Sequence, residues 1–406
     1  MLGALLSSAA LGAPIVGAQR GELAPTPLDA SANSTRPQRF AGIHASDVGA
    51  VACMGDSQML GSFMNLKSLP DVLKANHYAV GASIGCGDGS SGGQSEPLET
   101  LATLLRAASP GLRGLSHGGL RTIREVATDI VRAAHEHNSD LMFHCGDAKQ
   151  EAQCGFNVAA AGAAFNDSTT LSLIEQVSPL AERLRRADPP IEGWTVVTLE
   201  AGALDLLAQV ADNATHDPVP AWRASADRLL QRMRQELPGP TYVNVIAPLG
   251  SDRETGERVW ALRRDALGGT PWMDVLGNNP VWRAVGGRIP VANYVNSKRN
   301  RKIDGEVAAL AASFTDMLGD LQRAHSDERS FVVRVQPLLA RLESRPGFYD
   351  PVLGTHPLAP LSEATARALL QNMVSPPEAQ VRDAATLVNR SWADLGLGEV
   401  GGLLIR

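Results

Sequence analysis

The stretch Ala50-Val51-Ala52-Cys53-Met54-Gly55-Asp56-Ser57 is an apolar run that stops on a Gly-Asp-Ser turn. It reads as a strand followed by a tight turn. A serine in that place stands above the sheet, with its own N–H and the N-terminus of the next helix facing the same space. Such a place suits a nucleophile, because the oxyanion that develops meets fixed donors. Gly-Asp-Ser alone is an ordinary turn tripeptide, so the reading rests on what surrounds it.

Outward from this stretch, short apolar runs alternate with amphipathic ones. Further strand candidates are Phe156–Ala160, Trp194–Leu199, Tyr242–Ala247 and Phe331–Val335. Helical spacing joins Leu120, Ile123, Val126, Ile130 and Ala134. It also joins Trp222, Ala226, Leu229, Met233 and Leu237, then Val307, Leu310, Phe314, Leu318 and Leu321. Strands separated by helices predict an α/β fold with a parallel sheet. Ligands of such sheets sit at the carboxyl ends of the strands. That puts the residues after Met54, Ala160 and Leu199 on one rim. Ser251–Arg301, rich in Gly, Trp and Arg without a period, reads as an insertion over that rim.

The 406 residues hold 37 basic and 43 acidic side chains, a balance that leaves no footprint for nucleic acid. Apolar content of 44% excludes disorder as the main state. Aromatics at 4% argue against a sugar- or base-stacking surface. Residues 1–18 read as a signal peptide, uncharged and apolar, with Val16-Gly17-Ala18 giving small residues at the cleavage site. A Pro/Ser/Thr/Ala-rich linker follows over 19–46. Four cysteines and N-x-S/T sequons at Asn33, Asn166, Asn213 and Asn389 fit a secreted or lumenal chain. Cys145 and Cys154 flank a short polar loop that a bridge would close. Cys53 is either buried in its apolar run or bridged to Cys86. His144 beside Cys145 is the one pair with metal-like chemistry, and without ligand spacing no metal is expected. Gly85–Gly93 lacks the Lys of a phosphate loop and reads as a flexible wall of the cleft.

Several blocks now occur in one order: Gly55-Asp56-Ser57, Gly162 after the Phe156 run, Gly202-Ala203-Leu204-Asp205, and His356-Pro357. Gly81–Gly89, Leu112-Arg113-Gly114, Tyr242–Ile246, Phe331–Pro337 and Leu369–Met373 agree with them. Together they resemble the SGNH (GDSL-type) hydrolase superfamily, in its phospholipase B-like branch, over about residues 47–376, with 377–406 as a C-terminal tail. The resemblance implies a flavodoxin-like three-layer α/β/α domain with a parallel sheet. It implies Ser57 as nucleophile, His356 as general base, and the backbone N–H groups of Ser57 and Gly162 as oxyanion donors. It implies no cofactor.

Two positions depart from the family. Leu204 stands where an Asn side chain would give the third oxyanion donor, and Leu353 stands where an Asp would orient the histidine. Asp350, six residues before His356, either curls back to complete the triad or leaves a Ser-His dyad. Asp56 reads as a brace of the turn rather than a titrating group, and Asp205 as a holder of its loop. The function implied is hydrolysis of (phospho)lipid acyl esters, with contact to a membrane surface during that reaction. A catalytically impaired relative that binds lipid or a partner, and a carbohydrate acyl esterase, are the alternatives.

Overall fold

The computed structural model describes residues 43–56, 58–59, 76–78, 80–90, 97–118, 120–122, 145, 151–160, 163–165, 172–200, 202–211, 217–270, 294–295, 301–327, 329–345, 347–349, 356–375 and 377–390. The strands are β1 (Val48–Gly55), β2 (Asn76–Tyr78), β3 (Leu120–Thr122), β4 (Trp194–Glu200), β5 (Thr241–Ile246) and β6 (Phe331–Gln336). The helices are α1 (Leu101–Ala108), α2 (Glu151–Cys154), α3 (Val177–Arg185), α4 (Ala203–Ala211), α5 (Val219–Glu236), α6 (Gly256–Gly268), α7 (Arg301–His325) and α8 (Ala359–Val374).

β1, β4, β5 and β6 form one open, all-parallel sheet in that order, and β2 pairs antiparallel with β3. Nearly every residue of the four parallel strands is buried. Such runs need cover on both faces, because side chains alternate between them. Val51, Cys53, Val196, Tyr242, Ile246 and Val332 turn to one side and pack with α1 and α8. Ala52, Met54, Val197, Leu199, Val243 and Val245 turn to the other and pack with α3, α5 and α7. There Trp222 and Phe165 meet Phe314 edge-on at 5.4 and 5.2 Å. Each large aliphatic side chain buried this way contributes about 1.5–3 kcal/mol.

Four of the five strand candidates are strands, and the helical patterns of α5 and α7 hold. Phe156–Ala160 runs beside β1 without regular pairing, exchanging backbone bonds from Cys53 N to Phe156 O at 3.3 Å and from Val158 N to Cys53 O at 2.9 Å. Leu120–Thr122 is not helical but strand, since its backbone groups pair with Asn76–Tyr78; 123–144 lie outside the described residues. The linker ends earlier than expected, because Ile43 and Ala45 are already part of the core. The C-terminal tail likewise begins inside the domain, with Ala384 and Leu387 buried against α8. Within Ser251–Arg301, α6 buries Val259, Trp260 and Leu267 and packs along α7, so this part is structural cover. Among the described residues, no helix is long and apolar enough to cross a membrane.

Both cysteine pairs are bridged, Cys53 to Cys86 and Cys145 to Cys154. The first ties β1 to the loop that carries Gly85. Its described part, 85–90, is close-packed rather than flexible, and 91–93 lie outside the described residues. A Cβ on Gly85 would stand 2.6 Å from Thr198 Cβ and 2.7 Å from Cys53 Sγ, and Gly87 N donates to Ser83 O at 2.9 Å.

Candidate active site

The register aligns Gly55, Glu200 and Ile246 in one row across the carboxyl ends of β1, β4 and β5. Gly55 leaves the sheet at φ +143°, where a side chain would be strained, and a Cβ there would meet Glu200 O at 2.3 Å. Gln176, buried before α3, clamps this strand end from both sides. Its Oε1 accepts from Gly55 N and its Nε2 donates to Gly55 O, each at 2.9 Å. The chain then turns, and Gln58 N donates to Asp56 Oδ1 at 2.9 Å. Beyond the turn, the fully buried Asn157 donates to Met59 O at 2.9 Å. The Gly-Asp-Ser turn is thus pinned on either side of position 57.

Asp56 braces the turn as the sequence predicts, but it also titrates. Burial pushes its carboxyl up to about 6, against the pull of the Gln58 N–H, and the charge of Asp205 adds to the rise. Asp205, in the first turn of α4, accepts from Phe165 N at 3.0 Å and so holds the loop after Ala164. Glu200, at 7% exposure, is held well above the usual carboxylate range by burial first and the charge of Asp56 second. Among the described residues its Oε2 has no hydrogen-bond partner.

Above this row lies a small cleft. Gln58 comes from the turn after β1, Ile84 from the disulfide-tied loop, Glu200 and Ile246 from the strand ends. Leu339, Leu342 and Tyr349 follow β6, and Pro357, Leu361 and Thr365 open α8. The lining is mostly aliphatic, with Glu200 as its one carboxyl among the described residues. Tyr349 bridges to Pro357, and its ring carries the Arg263 guanidinium at 3.5 Å. His356, 7% exposed, directly precedes Pro357.

Of the sequence-derived site residues, His356 and Asp205 are described in full, and Leu204 is placed in α4. Ser57, Gly162, Asp350 and Leu353 lie outside the described residues, as does His144. What the structure brings together is the chain on either side: Gln58 next to Ser57, and Pro357 next to His356, on one cleft. Gln176, Asn157 and Glu200 were not anticipated. The one signal available for Glu200 was its charge at the end of a buried apolar run.

Fold and site define an α/β protein with an open parallel sheet and a cleft at the strands' carboxyl ends. No family model matches the chain, and no curated protein matches it either. Among the described residues no group of three or more His, Cys, Asp or Glu could hold a metal ion.

Proposed function

We propose that the chain is a serine ester hydrolase of the SGNH (GDSL-type) superfamily, in its phospholipase B-like branch, cleaving acyl esters of phospholipids or related lipids. One observation carries this reading. Gln58 and Pro357, the chain neighbours of Ser57 and His356, line a single cleft at the carboxyl end of a parallel sheet. The helices on both sheet faces agree with the three-layer, flavodoxin-like arrangement of that superfamily.

In this reading Ser57 Oγ attacks the acyl carbonyl while His356 takes its proton. His356 then returns the proton to the departing alcohol, and water releases the acyl group by the same route. The N–H groups of Ser57 and Gly162 serve the oxyanion. Asp350 orients the imidazole, or a Ser-His dyad does without it. The aliphatic lining suits an acyl chain, whose burial contributes about 0.8 kcal/mol per methylene. Two disulfides and an exposed Asn389 sequon favour a secreted or lumenal setting. There a lipid substrate would bring the protein to a membrane surface.

The purified chain should release fatty acid from phosphatidylcholine vesicles or p-nitrophenyl acyl esters. Ser57→Ala and His356→Ala should each lower kcat by about 10⁴-fold or more. The second reading, an impaired relative that binds lipid without turnover, is favoured by Leu204 in the first turn of α4, where the family carries an Asn. Vesicle binding without fatty-acid release would establish it.

A further inference from the structure

A site that has Leu204 in place of a donating side chain needs another donor, and the cleft contains one. Glu200 sits four residues upstream of Leu204, at the last position of β4, beside Gly55 in register. It is more than nine-tenths buried, it lines the cleft together with Gln58 and Pro357, and its Oε2 lacks a partner among the described residues. A buried polar atom left unpaired costs about 1–3 kcal/mol. A group that carries such a cost inside a cleft is one that a ligand satisfies.

We infer that Glu200 is a catalytic residue of this cleft, donating its carboxyl O–H to the carbonyl oxygen of a bound acyl ester in place of the amide missing at Leu204. The inference rests on the ester-hydrolase reading above. Ser57 Oγ bonds to the carbonyl carbon, the C=O π pair moves onto oxygen, and the serine proton goes to His356. Glu200 keeps its own proton and shares it with the oxyanion. When the tetrahedral intermediate collapses, the π bond reforms, the alkoxide leaves, and His356 protonates it. No co-reactant is required.

The surroundings keep the O–H in place. Among the described residues, the charged and titratable groups around Glu200 are Asp56 and, beyond it, Asp205; Tyr349, which feels the charge of Glu200; and Arg263, stacked on the Tyr349 ring. His356 precedes the lining Pro357. Burial first, and the charge of Asp56 second, favour the protonated carboxyl. A neutral carboxylic acid serving as an oxyanion donor is an established device.

The test compares kcat, KM and pH profile of the full mature chain on one p-nitrophenyl ester. Glu200→Ala should lower kcat by about 10²–10³-fold with little change in KM. Glu200→Gln, which keeps an N–H donor, should stay within about tenfold of the wild type. It should also lose the alkaline fall in kcat that ionisation of Glu200 gives the wild type. Adding Leu204→Asn to Glu200→Ala should restore part of the loss. An active wild type with Glu200→Ala within about threefold of it overturns the inference and leaves the hydrolase reading intact. Glu200→Gln falling as far as Glu200→Ala also overturns it. A wild type that neither turns over esters nor reacts with a fluorophosphonate overturns both.

Discussion

Replacing Asp56 by Asn isolates the cost of the carboxyl buried beneath the turn. Burial lifts this group from 3.8 to about 6 in the folded chain. Between those values the folded chain still holds a proton that the unfolded chain has released, so the free energy of unfolding falls as pH rises through that window. At about 1.4 kcal/mol per unit, the loss reaches about 3 kcal/mol once pH is above 6. An Asn keeps an oxygen for the Gln58 N–H and carries no charge. It also removes the second cause of the rise at Glu200, which works in the same direction. Asp56→Asn should therefore match the wild type near pH 4 and exceed its stability by about 3 kcal/mol at about pH 7. Urea unfolding of both proteins, at intervals across that range, measures the gap. A gap that does not change with pH, or a variant less stable at neutral pH, would refute the argument that Asp56 is held protonated by burial.

Three further expectations concern the scaffold around the site. Gly85→Ala should cost about 1–3 kcal/mol or more in thermal unfolding, because its methyl would stand 2.6 Å from Thr198 Cβ; an unchanged stability would mean that the loop has room to shift. Arg183, buried in α3, donates to Gly155 O and Asn157 O at 2.9 and 2.8 Å and also to Cys145 O, so Arg183→Met should cost about 3 kcal/mol by stranding these carbonyls. Denaturant unfolding checks it, and a loss below about 1 kcal/mol would show that water replaces the guanidinium. Cys145→Ser with Cys154→Ser opens a bridge that spans nine residues and should cost about 3 kcal/mol by the same assay.

The parallel strands could be read because each is a run of buried apolar residues, and β1, β4, β5 and β6 all lie within a residue or two of the expected positions. α5 and α7 could be read because their apolar faces repeat at helical spacing. The strand at Leu120–Thr122 was misread, since three residues cannot separate a helical from an extended period, and only the distant Asn76–Tyr78 decides it. Asp56 as a brace was legible from the turn it sits in. Its raised carboxyl was not, because that depends on burial under the folded sheet and on the charge of Asp205, which only the fold brings near. Gln176 is the plainest case of a long-range contribution: nothing local marks a glutamine that reaches across 121 residues to clamp Gly55. The glycine loop was misjudged for the opposite reason. Gly85 allows close approach to the Cys53–Cys86 bridge and β4, and Gly87 and Gly89 to the backbone of Gly81 and Leu98, so these three record packing rather than freedom.

The most direct test of the central claim is to locate a fluorophosphonate on the folded protein by peptide mass spectrometry. The account predicts a single adduct, on the peptide containing Ser57, formed at least about 10³-fold more slowly in His356→Ala and blocked by an acyl-ester substrate. An adduct elsewhere, or none while the chain remains folded, would contradict it.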